Sequence, residues 1–473
     1  MARGGDMTSG SISKNIILFS VPVLITTICQ TLFTTVDSIM VGQFVGANAL
    51  GSVNSCSTTI TLFMILANGF AIGYRIVVGQ VFGAHRLRHV REAIYTSLTL
   101  MALISAVITA LGVSASKVML TALHTVPEFL PDALTYMRLY FAGIALIIFC
   151  SGLNNLFYAL GETMIPMYFQ LGNIALNIVL DFVLLKWLHL GVMGVALAGI
   201  ITRAVTCLPL FFLLFRLMKP FPKAHHKFDK PSCRKIVGLG LPSCLASALG
   251  SIQGVMMTNL INSFGAAIVT GNAIATNINN FTYMFINTVG QAAGSFCSQN
   301  FGAHHLRRIR NCAWICMAVG FAYSMLMLVL IRFFGANLVH LFLRADTEPT
   351  LYNQIVDYSC KYLTVICYAY FLYGVGHIVN EMMRSVGKVK VTVICSTLQI
   401  IVRLGVCYAL AGVVGSSVLY WSIPIAWAAH YGFSTIYFFL GKWVPHFKGI
   451  HGKLPELDKN RETLKETIVN INQ

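Results

Sequence analysis

Uninterrupted uncharged sequence constrains this chain more than any other feature: residues 38–74, 93–116, 139–161, 236–306 and 404–441 contain no Asp, Glu, Lys or Arg. A helix needs about 20 apolar residues to cross a bilayer, so the longest of these stretches must hold turns. Gly46-Ala47, Gly265-Ala266 and Gly412 to Ser417 are the places for them. Only 10% of the 473 residues are charged, against roughly 25% in soluble domains, which excludes a soluble enzyme. The formal charge of +17 would suit nucleic acid if the basic residues formed one face or stripe, but they lie in clusters between neutral stretches. The expected surroundings are membrane lipids, with no nucleic-acid partner.

The apolar run that starts at Ile16 continues through Pro22 to Val45, too long for the h-region of a cleavable signal, and reads as the first span. Hydrophobic runs then place helices near 16–44, 48–74, 92–115, 135–160, 164–186, 191–216, 236–262, 268–296, 311–334, 359–383, 391–410 and 416–441. With the N-terminus inside, 25 Lys and Arg fall in inner segments, four of them at 75–91, and six in outer loops; Arg203 and Arg403 lie within spans. The excess of inner basic residues predicts both termini in the cytoplasm and a multi-pass protein of the plasma (inner) membrane.

An internal repeat organises these helices. Residues 79–91 (GQVFGAHRLRHVR) align without a gap on 298–310 (SQNFGAHHLRRIR), eight of thirteen identical at an offset of 219. Pro22 falls on Pro242, Gly46-Ala47 on Gly265-Ala266, and Gly161 and Gly387 both follow a helix. The predicted fold is therefore all-α and integral to the membrane, with twelve transmembrane helices in two six-helix lobes. These are parallel repeats about a pseudo-two-fold axis along the membrane normal. The predicted divisions are a cytoplasmic N-terminus (1–15), an N-lobe (16–216), a basic linker (217–235), a C-lobe (236–441) and a cytoplasmic tail (442–473). Two such lobes can rock to expose a central cavity to either side, which points to a transporter, and no enzymatic motif competes.

The order and spacing of several short strings resemble the multidrug and toxic compound extrusion (MATE) family over about residues 14–440. They are Pro22 with Asp37-Ser-Ile-Met-Val-Gly42, then Gln80-Val-Phe-Gly-Ala84, then Gly161-Glu-Thr-Met-Ile-Pro166 leading into Asn173, Asn177 and Asp181. Gly191-Val-Met-Gly-Val-Ala196, Gly240-Leu-Pro242 and Gln299-Asn-Phe-Gly-Ala303 complete the set. The resemblance implies secondary active efflux of amphiphilic, often cationic drugs or metabolites by antiport with H⁺ or Na⁺, with no other cofactor, by a single chain. In the branch whose amino-terminal lobe carries the cation site, it implies that Asp37, Asn177 and Asp181 bind the ion. That branch often adds a threonine on the sixth span; Gly199 stands at this place, with Thr202 as its nearest substitute.

The residues support the same site independently. Of sixteen acids, only Asp37, Asp181 and Glu381 fall inside spans, and an ionised Asp at a span centre costs about 2.5–3.5 kcal/mol on insertion scales. Asn173, Asn177 and Asp181 recur every four residues and share one face of the fifth span. In the C-lobe the repeat sets Met256 or Met257 opposite Asp37, and Gln399, Arg403 and Cys407 opposite Asn173, Asn177 and Asp181, so no second cation site is expected. Glu381 is expected to pair with Arg403 or Arg384. Pro22 is read as a hinge of the first span. The expected substrate path between the lobes is lined by Met256, Met257, Asn259, Asn277, Asn280, Phe281 and Tyr283, an adaptable surface for varied ligands. The cysteines and histidines are scattered, so no metal site is predicted. The runner-up function is a lipid-linked oligosaccharide or polysaccharide flippase of related architecture, which should line its cavity with arginine.

Overall fold

The computed structural model describes residues 5–122, 128–343, 348–441 and 443. The acidic Asp346 and the tail beyond 443 lie outside the described residues. Twelve α-helices run in chain order: α1 (Ile12–Phe44), α2 (Ala47–Gly83), α3 (Leu87–Ala122), α4 (Leu130–Ala159), α5 (Met164–Asp181) and α6 (Gly191–Met218) form one lobe. The other comprises α7 (Lys230–Asn262), α8 (Ala266–Gly302), α9 (Leu306–His340), α10 (Pro349–Ser385), α11 (Val389–Val414) and α12 (Val418–Phe439). The chain is thus a multi-pass membrane protein of twelve transmembrane helices in two lobes.

The duplication is written into the backbone. Helices α2 and α8 have the same length, 37 residues, and each starts after a glycine with positive φ, Gly46 (113°) and Gly265 (90°). Each ends in a Gly-Ala turn closed by a histidine in the left-handed region, His85 (54°) and His304 (61°). Gly161 and Gly387, aligned by the repeat, take matching φ of 78° and 84°. A left-handed residue after the last turn is the ordinary way to stop a helix and turn the chain. Packing repeats too: α1 lies against α5 of its own lobe and α8 of the other, while α7 lies against α11 and α2.

The lobes meet through glycine on the basic-loop side. A Cβ added at Gly83 would stand 1.8 Å from the Gln299 carbonyl oxygen, and one at Gly302 would stand 1.8 Å from that of Gln80. The two helices cross at residues equivalent under the repeat, and only the missing side chains allow this approach. Around the crossing, the Gln80 amide donates to the Ser385 carbonyl (2.8 Å) and the Gln299 amide to the Ala159 carbonyl (2.9 Å). Residues 5–11, read from sequence as a polar terminus, are drawn into this contact. The Met7 N–H donates to Gln299 Oε1 (2.9 Å), Met7 is buried, and the Arg308 guanidinium donates to the carbonyls of Met7, Ser9 and Gly10.

Several helices run past their predicted ends because charge does not stop a helix; it stops only the lipid-facing part of one. Helix α2 continues to Gly83 rather than residue 74, which carries Arg75 out of the inner loop and into the buried interior. At the start of α7, Lys230 to Lys235 lie within the predicted linker yet are helical, with the Asp229 carboxylate accepting from the Ser232 N–H (2.9 Å) as an N-cap.

Candidate ion site and inter-lobe cavity

Helix α1 brings Asp37 to the half of the N-lobe remote from the basic loops, and Asp181 is the last residue of α5. Beyond Asp181 the chain tightens its helix no further: Phe182–Trp187 form a π-helical turn, a distortion that frequently accompanies functional sites. The four-residue spacing of Asn173, Asn177 and Asp181 buries all three on the face toward α1 and α6. Asp181 is fully buried and Asp37 half-buried.

These groups are gathered but not satisfied. The Asp37 carboxyl lies within side-chain reach of Asp181 and Asn177, and Arg203 acts on it through its charge. Even so, Asp37 Oδ1, both carboxyl oxygens of Asp181, and Oδ1 and Nδ2 of Asn177 are buried without a partner of hydrogen-bonding geometry. Orphaned buried polar atoms are rare, and five on Asp37, Asn177 and Asp181 make this cluster the candidate site. Their donor set, two carboxylates and an amide oxygen, is that of a hard cation or a proton.

Thr202 is buried on α6 with its hydroxyl donating to the Ala198 carbonyl (2.9 Å). Asn173 is held away from the orphans, its amide donating to Thr206 Oγ1 (2.8 Å) and to the Thr202 carbonyl (3.3 Å). Arg203 donates to the Gly199 carbonyl (3.0 Å) and lies over the Phe33 ring at 4.6 Å. The cluster thus holds two carboxyl groups and one guanidinium.

The predicted path residues are not brought together. Met257 packs in the C-lobe core and Tyr283 against Tyr373 and Trp427, while Met256, Asn259, Asn277, Asn280 and Phe281 are exposed. None of the seven lines the inter-lobe cavity of about 430 Å³. Its walls are polar instead, including Gln30, Asn68, Asn154, Asn287, Gln291 and His377, with Val23 and Ile72 as minor apolar contributions. At its charged end Glu381 accepts from Arg384 (2.9 Å) and from Arg75 (3.3 Å). Glu381 therefore pairs with Arg384, one of its two expected partners, and with Arg75 across the lobes, not with Arg403. Arg403 lies beside Tyr283, Tyr358 and Tyr362.

Arg75 and Thr206 were missed in sequence. The Arg75 error came from ending α2 at its first charge; the Phe-Gly-Ala-His turn, present in both repeats, was the true stop signal. Thr206 lies one helical turn beyond Thr202 and was within reach of the same argument.

This fold, with buried carboxylates in one lobe and a cavity between two, defines a membrane transporter rather than an enzyme. The MatE family model matches residues 22–183 and 242–409, one segment in each lobe, and the chain belongs to this family. A probable multidrug resistance protein of Bacillus subtilis, YpnP, is 26% identical over 81% of this chain and 84% of its own length. The multidrug export protein MepA of Staphylococcus haemolyticus is 24% identical over 88% of this chain and 91% of its own. Among solved structures, an outward-facing multidrug resistance MATE family transporter superposes with a TM-score of 0.84, at 20% identity over 93% of this chain and 99% of that one. A MOP superfamily transporter from Pyrococcus furiosus gives 0.85, also at 20% identity, over 93% and 98%. The chain is thus a membrane transporter of the MatE family.

Proposed function

We infer that this chain exports small organic molecules by antiport with a cation, H⁺ or Na⁺, which Asp37 and Asp181 bind in the N-lobe. The observation that carries this is the cluster of orphaned buried oxygens on those two aspartates and Asn177. A bound cation offsets the carboxylate charge. When it leaves, two facing carboxylates repel in low dielectric, so occupancy is coupled to the separation of α1 from α5. Helix α1 also packs on α8 of the opposite lobe, which gives that movement a route to the lobe contact. Pro22, which lacks an N–H and lies buried within α1, supplies a weak point at which the helix bends.

The positive-inside excess sets the basic loops and the α2–α8 crossing on the cytoplasmic side of the plasma membrane, with both termini inside. The lobes then meet on that side, and the cavity belongs to an outward-facing state. Asn173 and Thr202 support the ion site from behind, Asn173 through Thr206. A flippase reading is not favoured: one arginine reaches the cavity, and it faces a glutamate. Purified protein in proteoliposomes loaded with a fluorescent substrate tests the function, with Na⁺ and proton gradients imposed separately. Efflux driven by one gradient and lost in Asp181→Asn is expected. Gradient-driven efflux that survives in both Asp37→Asn and Asp181→Asn would defeat the assignment.

A further inference from the structure

The charged end of the inter-lobe cavity is unbalanced. Among the described residues Glu381 is the sole carboxylate lining it, and it is shared between two guanidiniums, with the shorter contact going to Arg384 at 2.9 Å and the longer to Arg75 at 3.3 Å. Arg384 accounts for the glutamate's charge. Arg75 is left with a surplus: its side chain is only 5% exposed, it lines the cavity, and its Nε–H is buried without a partner. Its contact to Gln291 Oε1 is long and neutral, at 3.5 Å. Asn154 and Tyr158 lie on the same wall. A buried guanidinium with an idle N–H, in a cavity open to ligands, is a receptor for a planar anion, because its fork of donors matches a carboxylate.

The geometry points to this cavity as a binding site for organic molecules that carry a carboxylate, with Arg75 as the group that receives it. The volume, about 430 Å³, suits a drug-sized ligand, and the amide-rich walls supply hydrogen bonds for the rest of the molecule. Glu381 lines the same cavity, so a ligand that also bears a cation is accommodated when its charges are separated. The inference concerns which molecules the cavity holds. It relies on the transport reading only for their fate, and equilibrium binding tests it with no gradient present.

The probes are tetramethylrhodamine and its methyl ester, which share one xanthylium cation and differ by a free carboxylate. Each is titrated into the purified full-length protein in nanodiscs and followed by fluorescence polarisation, with empty nanodiscs subtracted. The wild-type protein is expected to bind the acid at least about tenfold more tightly than the ester, a difference of about 1.4 kcal/mol. In Arg75→Gln that ratio falls to about one through loss of the acid's affinity, with the ester unchanged. Equal affinities for the two probes in the wild type, or tighter binding of the ester, overturn the proposal without any variant having to fold. A ratio that persists in a folded Arg75→Gln protein overturns the role of Arg75. Failure of gradient-driven efflux alongside a preserved acid preference would count against the antiport mechanism and leave the carboxylate site standing.

Discussion

The two lobes share one scaffold and differ in the chemistry they bury. In the N-lobe, Asn173 on α5 reaches Thr206 on α6; in the C-lobe, Gln399 on α11 reaches His430 on α12 at 2.5 Å. The same pair of helices is clamped by the same kind of polar contact. One turn further along, Asn177 and Asp181 are matched by Arg403 and Cys407, and Asp37 by methionine. The N-lobe cluster holds two carboxyl groups with Arg203 near them, whereas Arg403 lies among tyrosines with no carboxylate at the mirrored positions. Duplication supplied the frame, and divergence of a few side chains placed the paired aspartates in one half only, where the proposed ion site lies.

The comparison breaks first if the halves prove equivalent. Asp181→Asn keeps shape and removes charge, and is expected to reduce gradient-driven efflux in proteoliposomes at least about tenfold, toward the uncoupled leak. Asp37→Asn should do the same. Arg403→Gln, at the mirrored position of Asn177, should leave the ion dependence of efflux unchanged. A loss of coupling in Arg403→Gln comparable to that in Asp181→Asn would mean that the C-lobe also handles the ion.

The scaffold, by contrast, should respond symmetrically. Gly83→Ala and Gly302→Ala each drive a methyl into backbone 1.8 Å away on the other lobe, with no flexible side chain to yield. Each is expected to cost roughly 1–3 kcal/mol, as overpacking does, and the two should lower the thermal unfolding midpoint in detergent to a similar extent. The crossing belongs to the state closed on the basic-loop side, so both variants should also increase labelling of Cys297, which is buried near that end of α8. A large effect from one glycine and none from the other would show that the crossing is not two-fold.

Sequence carried the frame well because its signals are redundant: uncharged length, glycine turns and a gapless repeat each imply twelve helices in two halves. It carried the acid pair because a buried carboxylate is costly enough to stand out from any apolar context. It failed where the signal depended on three-dimensional packing. Arg75 reads as one more basic residue at a membrane edge until α2 is seen to continue under the opposite lobe, beside Glu381. The structure leaves Met256 and Phe281, expected on the substrate path, both exposed and outside the inter-lobe cavity. The strap at residues 5–11 has no periodicity to find; its partners, Gln299, Asn300 and Arg308, lie almost three hundred residues away.

The finest test lies in the two clamps. Thr206→Val removes the hydroxyl that accepts from Asn173 and leaves the amide with only the longer contact to the Thr202 carbonyl. A hydrogen bond between membrane helices is worth about 0.6 kcal/mol on average, so the stability cost should be small and close to that of Gln399→Leu, which frees His430. What separates them is function. Asn173 lies one turn before Asn177 and fixes the face on which the orphaned oxygens converge. Thr206→Val should therefore raise the ion concentration for half-maximal efflux by roughly threefold, the equivalent of that energy. Gln399→Leu should leave it unmoved, since its clamp steadies a lobe that holds no ion. Equal shifts from the two would indicate that the clamps act through general rigidity, and the asymmetry would then reside in the aspartates alone.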